Sequence, residues 1–357
     1  MARAEVDEQS YVNQLLNDLD RDILQHGDAI IGREIQTIFV GGGTPSLFSA
    51  ESYQSLFFGL RQRLEFSDTI EITLEANPGS SERDKFTGFR QAGINRLSIG
   101  VQSFDQSHLQ SLGRIHNRDH ALKAASYARD AGFDNFNLDL MFGLPKQSLE
   151  QSLADVQQAI ALAPTHLSCY QLTIEPNTLF HHQPPITPGD EVLWDMQEQL
   201  QAELAAHGFR QYEVSAYSLG HHRCQHNLNY WQFGDYLGIG AGAHQKLTLS
   251  NGQVIRSWKI KHPDSYIQKE NKIGGQETVA TKLLPFEFMM NALRLNHGFL
   301  LSQFEQRTGS SIKDIEKLVQ KHQDQGLIEV SDKQIRSTQF GHNMVNSMLD
   351  DYLEASH

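Results

Sequence analysis

The sequence predicts an α/β fold made of successive strand–helix units, a parallel sheet either open or closed into a barrel. Strand-like and helical segments alternate over the first two-thirds of the 357-residue chain. They repeat at roughly 30 to 40 residues, the spacing of βα units. The strand segments read as apolar on both faces, as in a sheet covered by helices. Polar residues recur where those strands end, and parallel strands bring such ends to one mouth.

Thr37–Val40 is a short apolar strand that ends in Gly41-Gly42-Gly43. A helix is expected from Ala50 to Leu64, with Ser49 as its N-cap. The strand Ile70–Leu74 runs into Glu75-Ala76-Asn77-Pro78-Gly79, and a helix from Ser81 to Ala92 is closed by Gly93. Arg96–Val101 is the next strand, and Asn117 caps a helix that ends near Gly132. The strand Phe136–Leu140, the turn Gly143-Leu144-Pro145, the helix Ser148–Ala161 and the strand His166–Leu172 complete this region.

The pattern changes after residue 175. A loop with Pro176, Pro184, Pro185 and Pro188 leads to a long helix, Asp190 to His207, and a strand, Gln211–Tyr217. A His-rich loop and the run Leu237-Gly238-Ile239-Gly240-Ala241-Gly242-Ala243-His244 follow. Residues 280–357 read as three helices, a hairpin pairing Leu327–Val330 with Ile335–Thr338, and a last helix, a winged-helix-like layout. The expected domains are 1–175, 176–279 and 280–357.

Composition narrows the function. Cys169 and Cys224 are the two cysteines. They make neither a disulfide framework nor a cysteine-rich zinc module, and they fall short of the thiolates an iron–sulfur cluster needs. So few cysteines suit a reducing compartment. No apolar run is long enough to span a membrane, and residues 1–20 lack the apolar core of a signal peptide, so a cytoplasmic location is expected. The net charge of −13 argues against general nucleic-acid binding. Residues 299–357 carry six Lys/Arg against nine Asp/Glu, so the winged-helix-like part reads as a packing domain rather than a DNA reader.

Two places concentrate chemistry. The strand-end set is Gly41-Gly42-Gly43-Thr44, Glu75, Gln102 and Asp139. Glycines at a strand end let a ligand reach backbone N–H and C=O groups, or merely form a turn. Glu75 suits ribose hydroxyls, or is a solvated acid. Asp139 lies in an apolar strand and needs a partner, with Arg96 or Arg114 as candidates. The second place is the His-rich loop Gly220 to Trp231. His221 and His222 read as solvated, like His181 and His182. His226, beside Tyr230 and Trp231, has neighbours suited to a flat macrocycle, although a structural role is the plainer alternative.

Taken in order, these motifs resemble the radical SAM family, and within it the coproporphyrinogen III dehydrogenase-like branch. The matching strings are Ile38-Phe39-Val40-Gly41-Gly42-Gly43-Thr44-Pro45-Ser46, Glu75-Ala76-Asn77-Pro78 and Asn95-Arg96-Leu97-Ser98-Ile99-Gly100-Val101-Gln102-Ser103-Phe104. Leu112-Gly113-Arg114 and Asn137-Leu138-Asp139-Leu140-Met141-Phe142-Gly143-Leu144-Pro145 extend the match. The branch holds an oxygen-independent dehydrogenase and a group of haem chaperones. His226-Asn227-Leu228-Asn229-Tyr230 and the run from Trp231 to His244 favour the chaperones, with the dehydrogenase and an inactive fragment as alternatives.

The resemblance implies a partial (β/α)6 TIM-like barrel with S-adenosylmethionine in its mouth and a mostly helical C-terminal domain. It implies that Gly42, Gly43 and Thr44 contact the methionine moiety. Glu75, Gln102, Arg114 and Asp139 would line the nucleoside side, and His226, Asn227 and Tyr230 would bind haem. Haem, acceptor haem proteins (respiratory ones among them) and a second copy of the chain are the implied partners.

The family's Cys-x-x-x-Cys-x-x-Cys motif, which holds a 4Fe–4S cluster after the first barrel strand, is absent from this sequence. Truncation of the start is expected over a genuine cluster-less paralogue, with the first strand missing. A less stable, aggregation-prone chain and no catalysis in this form follow from that expectation.

Overall fold

The computed structural model describes residues 7–79, 82–176 and 178–355. The helix start expected at Ser81 lies outside them. In chain order the first elements are α1 (Glu8–Ile30), β1 (Glu34–Val40), α2 (Ala50–Arg61), β2 (Glu65–Ala76), α3 (Glu82–Ala92) and β3 (Arg96–Gln102). Next come α4 (Gln106–Ser111), α5 (Arg118–Asp130), β4 (Phe136–Phe142), α6 (Leu149–Ala161), β5 (His166–Gln171), α7 (Leu179–His182) and α8 (Asp190–Ala206). Then follow β6 (Arg210–Gln211), β7 (Ala216–Ser218), α9 (Gln225–Trp231), β8 (His244–Thr248), β9 (Val254–Lys259), α10 (Pro263–Gln268) and β10 (Ile273–Thr278). The last are α11 (Leu284–Ala292), β11 (Phe299–Leu300), α12 (Leu301–Thr308), α13 (Glu316–Asp324), β12 (Ile328–Val330), β13 (Gln334–Ser337), α14 (Gln339–Asn343) and α15 (Val345–Ala355).

Two compact units share the chain, one of Thr37–Tyr53 with Glu71–Arg223 and one of Met1–Gln36, Gln54–Ile70 and Cys224–His357. The first carries most of a seven-stranded sheet in the order β1-β2-β3-β4-β5-β7-β6. β2 to β5 pair in parallel, and β7 and β6 add antiparallel. This is the half-barrel sheet of an α/β fold, as expected.

Local sequence explains the covering helices. Asn117 accepts from the His120 N–H at the start of α5, whose Ala121, Ala124, Ala125 and Ala128 form a small-residue face that lets the helix lie close to the sheet. Ser148 and Gln151 form a reciprocal capping box on α6. Asp155 on α6 accepts from Ser103 Oγ and the Phe104 N–H, both at 2.7 Å, and so anchors the loop that leaves β3. Phe86 and Phe89 on α3 and Phe133 after α5 are fully buried, with the Phe86 and Phe133 rings 6.3 Å apart, each contributing about 1.5–3 kcal/mol by burial.

The sheet corrects the sequence reading in two ways. The strands are not apolar on both faces. Thr73, Ser98, Asn137, His166 and Ser168 are buried polar residues, and Ser98, Asn137, His166 and Ser168 bond to one another instead of to water. The single strand expected over Gln211–Tyr217 is instead β6 and β7, because the chain reverses at Glu213. The Glu213 carboxylate accepts the Ser215 N–H, and the Tyr212 N–H donates to Ala216 O.

The second unit holds a three-stranded antiparallel sheet, β10-β9-β8, which the sequence reading did not anticipate. Here α1 presents Asp18 and Asp22 to Lys259 on β9, at 2.7 and 2.8 Å, with all three side chains buried. Tyr266 donates to Asp18 at 2.7 Å while its hydroxyl accepts the Gly240 N–H. The Tyr11 hydroxyl accepts the Ala241 N–H. Thus α1 clamps the Gly-rich run through a fully paired buried network.

The helical remainder packs around Phe288, whose ring meets Phe299 at 5.0 Å, Phe304 at 5.4 Å and Phe233 at 6.0 Å. β11, β13 and β12 form its small sheet, with the hairpin where the sequence placed it. Among the described residues, no helix is long and apolar enough to cross a membrane.

Candidate functional site

The β1 exit loop and the β2 end meet first. The Gly42 N–H donates to Glu75 Oε2 at 3.1 Å. A Cβ on Gly41 would lie 2.9 Å from the Glu75 carboxyl carbon and 3.0 Å from each oxygen, so only glycine leaves room there. Gly42 and Gly43 have φ of +81° and +61°, and no atom lies within 4 Å of where their Cβ atoms would stand. Two successive left-handed glycines with open space above them form a backbone cradle. Thr44 follows, half-buried, before the Pro45–Leu47 turn.

The register carries this site across the sheet. Glu75 pairs with Ser98, Ser98 with Asn137, and Asp139 with Ser168. Asp139 accepts from Ser98 Oγ at 3.1 Å and Asn137 Nδ2 at 2.8 Å. These bonds, rather than an arginine, are its partners. Arg96 lies 4.0 Å from Glu71 and reaches Asp139 only through its field. Burial raises both carboxyls above their ordinary range. For Glu75 the Gly42 bond opposes that rise while the Asp139 charge adds to it, and for Asp139 the Asn137 and Ser98 bonds oppose it.

Gln102 ends β3 with φ of +69°, left-handed for a non-glycine residue, after a break in register with β4. Its amide folds back to within 2.9 Å of where a Gly100 Cβ would be, beside the Asn77 carboxamide. Gly42, Glu75, Gln102 and Asp139 therefore occupy neighbouring strand ends. Arg114 is exposed on the loop after α4, and no described contact ties it to them.

His226, Asn227 and Tyr230 lie on α9, a seven-residue helix with no buried residue. His226 and Tyr230 are one turn apart and share a face. The Tyr230 ring meets Trp231 at 5.1 Å and Tyr236 at 5.7 Å. Asn227 accepts from Cys224 Sγ at 3.4 Å, which fixes the helix start.

Both cysteines are buried thiols outside any disulfide, and burial pushes the Cys169 thiol up to about 12. A neutral thiol in β5 and a capping thiol at α9 do not fit a three-thiolate cluster. Among the described residues, no group of three or more His, Cys, Asp or Glu side chains could hold a metal ion. The Gly42–Gly43 cradle beside Glu75 does fit an amino-acid or nucleoside ligand.

Several contributors escaped sequence reasoning. Gly41 matters for space, Asn77 lies with Gln102 over Gly100, and Ser98 and Asn137 hold Asp139. Polar residues at every second position of otherwise apolar strands were the available signal.

Comparison with known proteins identifies the family. Residues 16–158 match the radical SAM superfamily and residues 282–341 the HemN C-terminal domain. The heme chaperone HemW of Escherichia coli is 47% identical over 351 residues, covering 98% of this chain and 92% of that protein. The heme chaperone HemW of Haemophilus influenzae is 45% identical, with 98% and 91% covered. That of Bacillus subtilis is 32% identical, with 96% and 92% covered. The coproporphyrinogen III oxidase HemN from Escherichia coli superposes with a TM-score of 0.79 at 21% identity, covering 98% of this chain and 84% of that one, and so shares the fold.

Proposed function

The chain belongs to the heme chaperone HemW family of the radical SAM superfamily, and on that premise we propose that it binds haem and hands it to acceptor haem proteins. The observation that carries this reading is α9, which keeps His226 and Tyr230 on one accessible face. A neutral imidazole is a standard axial ligand for haem iron, and an exposed tyrosine ring offers a flat apolar contact. Asn227 orders the helix start through Cys224.

The half-barrel mouth binds S-adenosylmethionine in this proposal. That ligand, when bound, supplies an amino-acid head, a sulfonium and a ribose. Gly42, Gly43 and Thr44 hold the head with backbone groups. Glu75 accepts hydroxyl hydrogens, and Gln102, Arg114 and Asp139 line the nucleoside side. The two buried cysteines do not fit a 4Fe–4S cluster, and the proposed binding uses none.

The matching organisation is a cofactor-binding domain over 1–175, an extension with the His-rich loop over 176–279 and a helical domain over 280–357. Respiratory haem proteins are the proposed acceptors, the cytoplasm the proposed location and a homodimer the proposed assembly.

Haem titration of the apo-chain tests the proposal. A saturable Soret change is expected, with affinity at least tenfold weaker in His226→Ala. Equal binding by that variant would remove His226 from the site, and no saturable binding by the unaltered chain would reject the function.

A further inference from the structure

Behind the Asp139 carboxylate a chain of hydrogen bonds runs across the half-barrel sheet. The register sets Ser98, Asn137 and His166 in one row over β3, β4 and β5. Asp139 and Ser168 form the next row on the same face, two residues nearer the strand ends. His166 Nδ1 lies 2.7 Å from Asn137 Oδ1, and its Nε2 lies 2.8 Å from the Tyr212 hydroxyl. Ser168 Oγ also donates to Asn137 Oδ1, at 3.1 Å. Asn137 Nδ2 donates to Asp139 Oδ1 at 2.8 Å and to Ser98 Oγ at 2.9 Å. Ser98 Oγ in turn donates to Asp139 Oδ2 at 3.1 Å.

The chemistry of these groups allows one direction of donation. A carboxamide oxygen only accepts, so the imidazole carries its proton on Nδ1. Burial, and then the charge of Arg96, holds the His166 pKa well below its ordinary value. The ring is therefore neutral, and Nε2 accepts the Tyr212 hydrogen. Asn137 then presents only N–H to the carboxylate. The other tautomer would set a lone pair against Asn137 Oδ1 and favour the flipped amide, with its oxygen against Asp139. Both Asp139 oxygens thus receive a hydrogen bond from behind. Tyr212, His166, Asn137 and Ser98 are buried, whereas Asp139 is half-buried. The carboxylate is the end of this relay that a ligand can reach, and its remaining lone pairs suit hydroxyl hydrogens.

We propose that Tyr212, His166 and Asn137 are positioning residues for the nucleoside of S-adenosylmethionine, on which they act through Asp139. The proposal rests on the S-adenosylmethionine reading of the half-barrel mouth and assigns residues outside it.

The test uses the full chain, with S-adenosylmethionine affinity read by calorimetry and the His166 ring read by nitrogen NMR of ring-labelled histidine. The unaltered chain is expected to show His166 neutral and protonated on Nδ1 at neutral pH. His166→Leu should weaken S-adenosylmethionine about tenfold. His166→Asn, whose amide donates from the position of Nδ1, should regain most of that loss. In an Asp139→Ala background His166→Leu should cost nothing further, the mark of a residue that acts through Asp139. Thermal melts of each variant establish folding. Tyr212→Phe, which should mix the ring tautomers and weaken S-adenosylmethionine, replaces His166→Leu in the cycle if the latter does not fold. A His166 ring protonated on Nε2, folded variants that bind as well as the unaltered chain, or a loss that adds in full to that of Asp139→Ala would overturn the proposal. No S-adenosylmethionine binding by the unaltered chain would instead overturn the reading on which it rests.

Discussion

The Gly42 N–H donates to Glu75 Oε2 across 3.1 Å, joining the β1 exit loop to the end of β2. Gly41 makes that bond possible, because any Cβ there would meet the Glu75 carboxylate. Together they set open backbone against a partly buried acid at the end of β2.

Gly41→Ala is therefore expected to displace Glu75 without unfolding the sheet. A lost charge-assisted hydrogen bond is worth about 1.5–3 kcal/mol. S-adenosylmethionine affinity by calorimetry should fall about tenfold or more, with a melting temperature close to that of the unaltered chain. Unchanged affinity would remove Glu75 from the ligand.

Asp235 provides a pH test in the other unit. Burial works against its charged form, but Lys246 at 2.9 Å and Arg33 at 2.9 Å hold its pKa down at about 2. A depressed carboxyl stabilises the fold at neutral pH, and that stabilisation is lost as pH falls from about 4 through about 2. Asp235→Ala should cost about 3–5 kcal/mol at pH 7, because it strands buried Lys246. Chemical denaturation should show this deficit shrinking toward pH 2.

Asp155 has the opposite sign. Burial raises its pKa from 3.8 to about 6, against the bonds from Ser103 and Phe104. The folded state holds the proton longer, so stability from this group falls as pH rises from about 4 to about 6. The change is on the order of 2–3 kcal/mol. Asp155→Asn should flatten that part of the stability profile, and a profile identical to the unaltered chain would contradict it.

The 357-residue chain, reconstituted anaerobically with iron and sulfide and reduced with dithionite, is expected to release no 5′-deoxyadenosine above background. Its two cysteines are buried, with the Cys169 thiol held neutral. Product above background would contradict this.

The sequence exposed much of this design and hid specific parts of it. Strong local signals such as Asn117, Ser148 and Gly93 marked helix ends, and the structure has them there. Strand ends at Gly41, Glu75 and Gln102 pointed to the mouth. The partner of Asp139 was not legible, because Ser98 and Asn137 become its neighbours only through strand register. The β8–β10 sheet was hidden because glycines and lysines such as Gly275 and Lys259 look like loop residues. They serve instead as space for Trp258 and as the buried partner of Asp18 and Asp22. The His244–Trp258 pairing is likewise a cross-strand relationship between residues fourteen positions apart.

Haem transfer tests the central claim most directly. The chain is loaded with one equivalent of haem, mixed with a histidine-ligated apo-haem protein, and followed by the Soret shift of the acceptor. The acceptor is expected to fill to near completion from the loaded chain, with haem bound until the acceptor is added. A loaded chain that keeps its haem in excess acceptor, or an unaltered chain that takes up none, would contradict it.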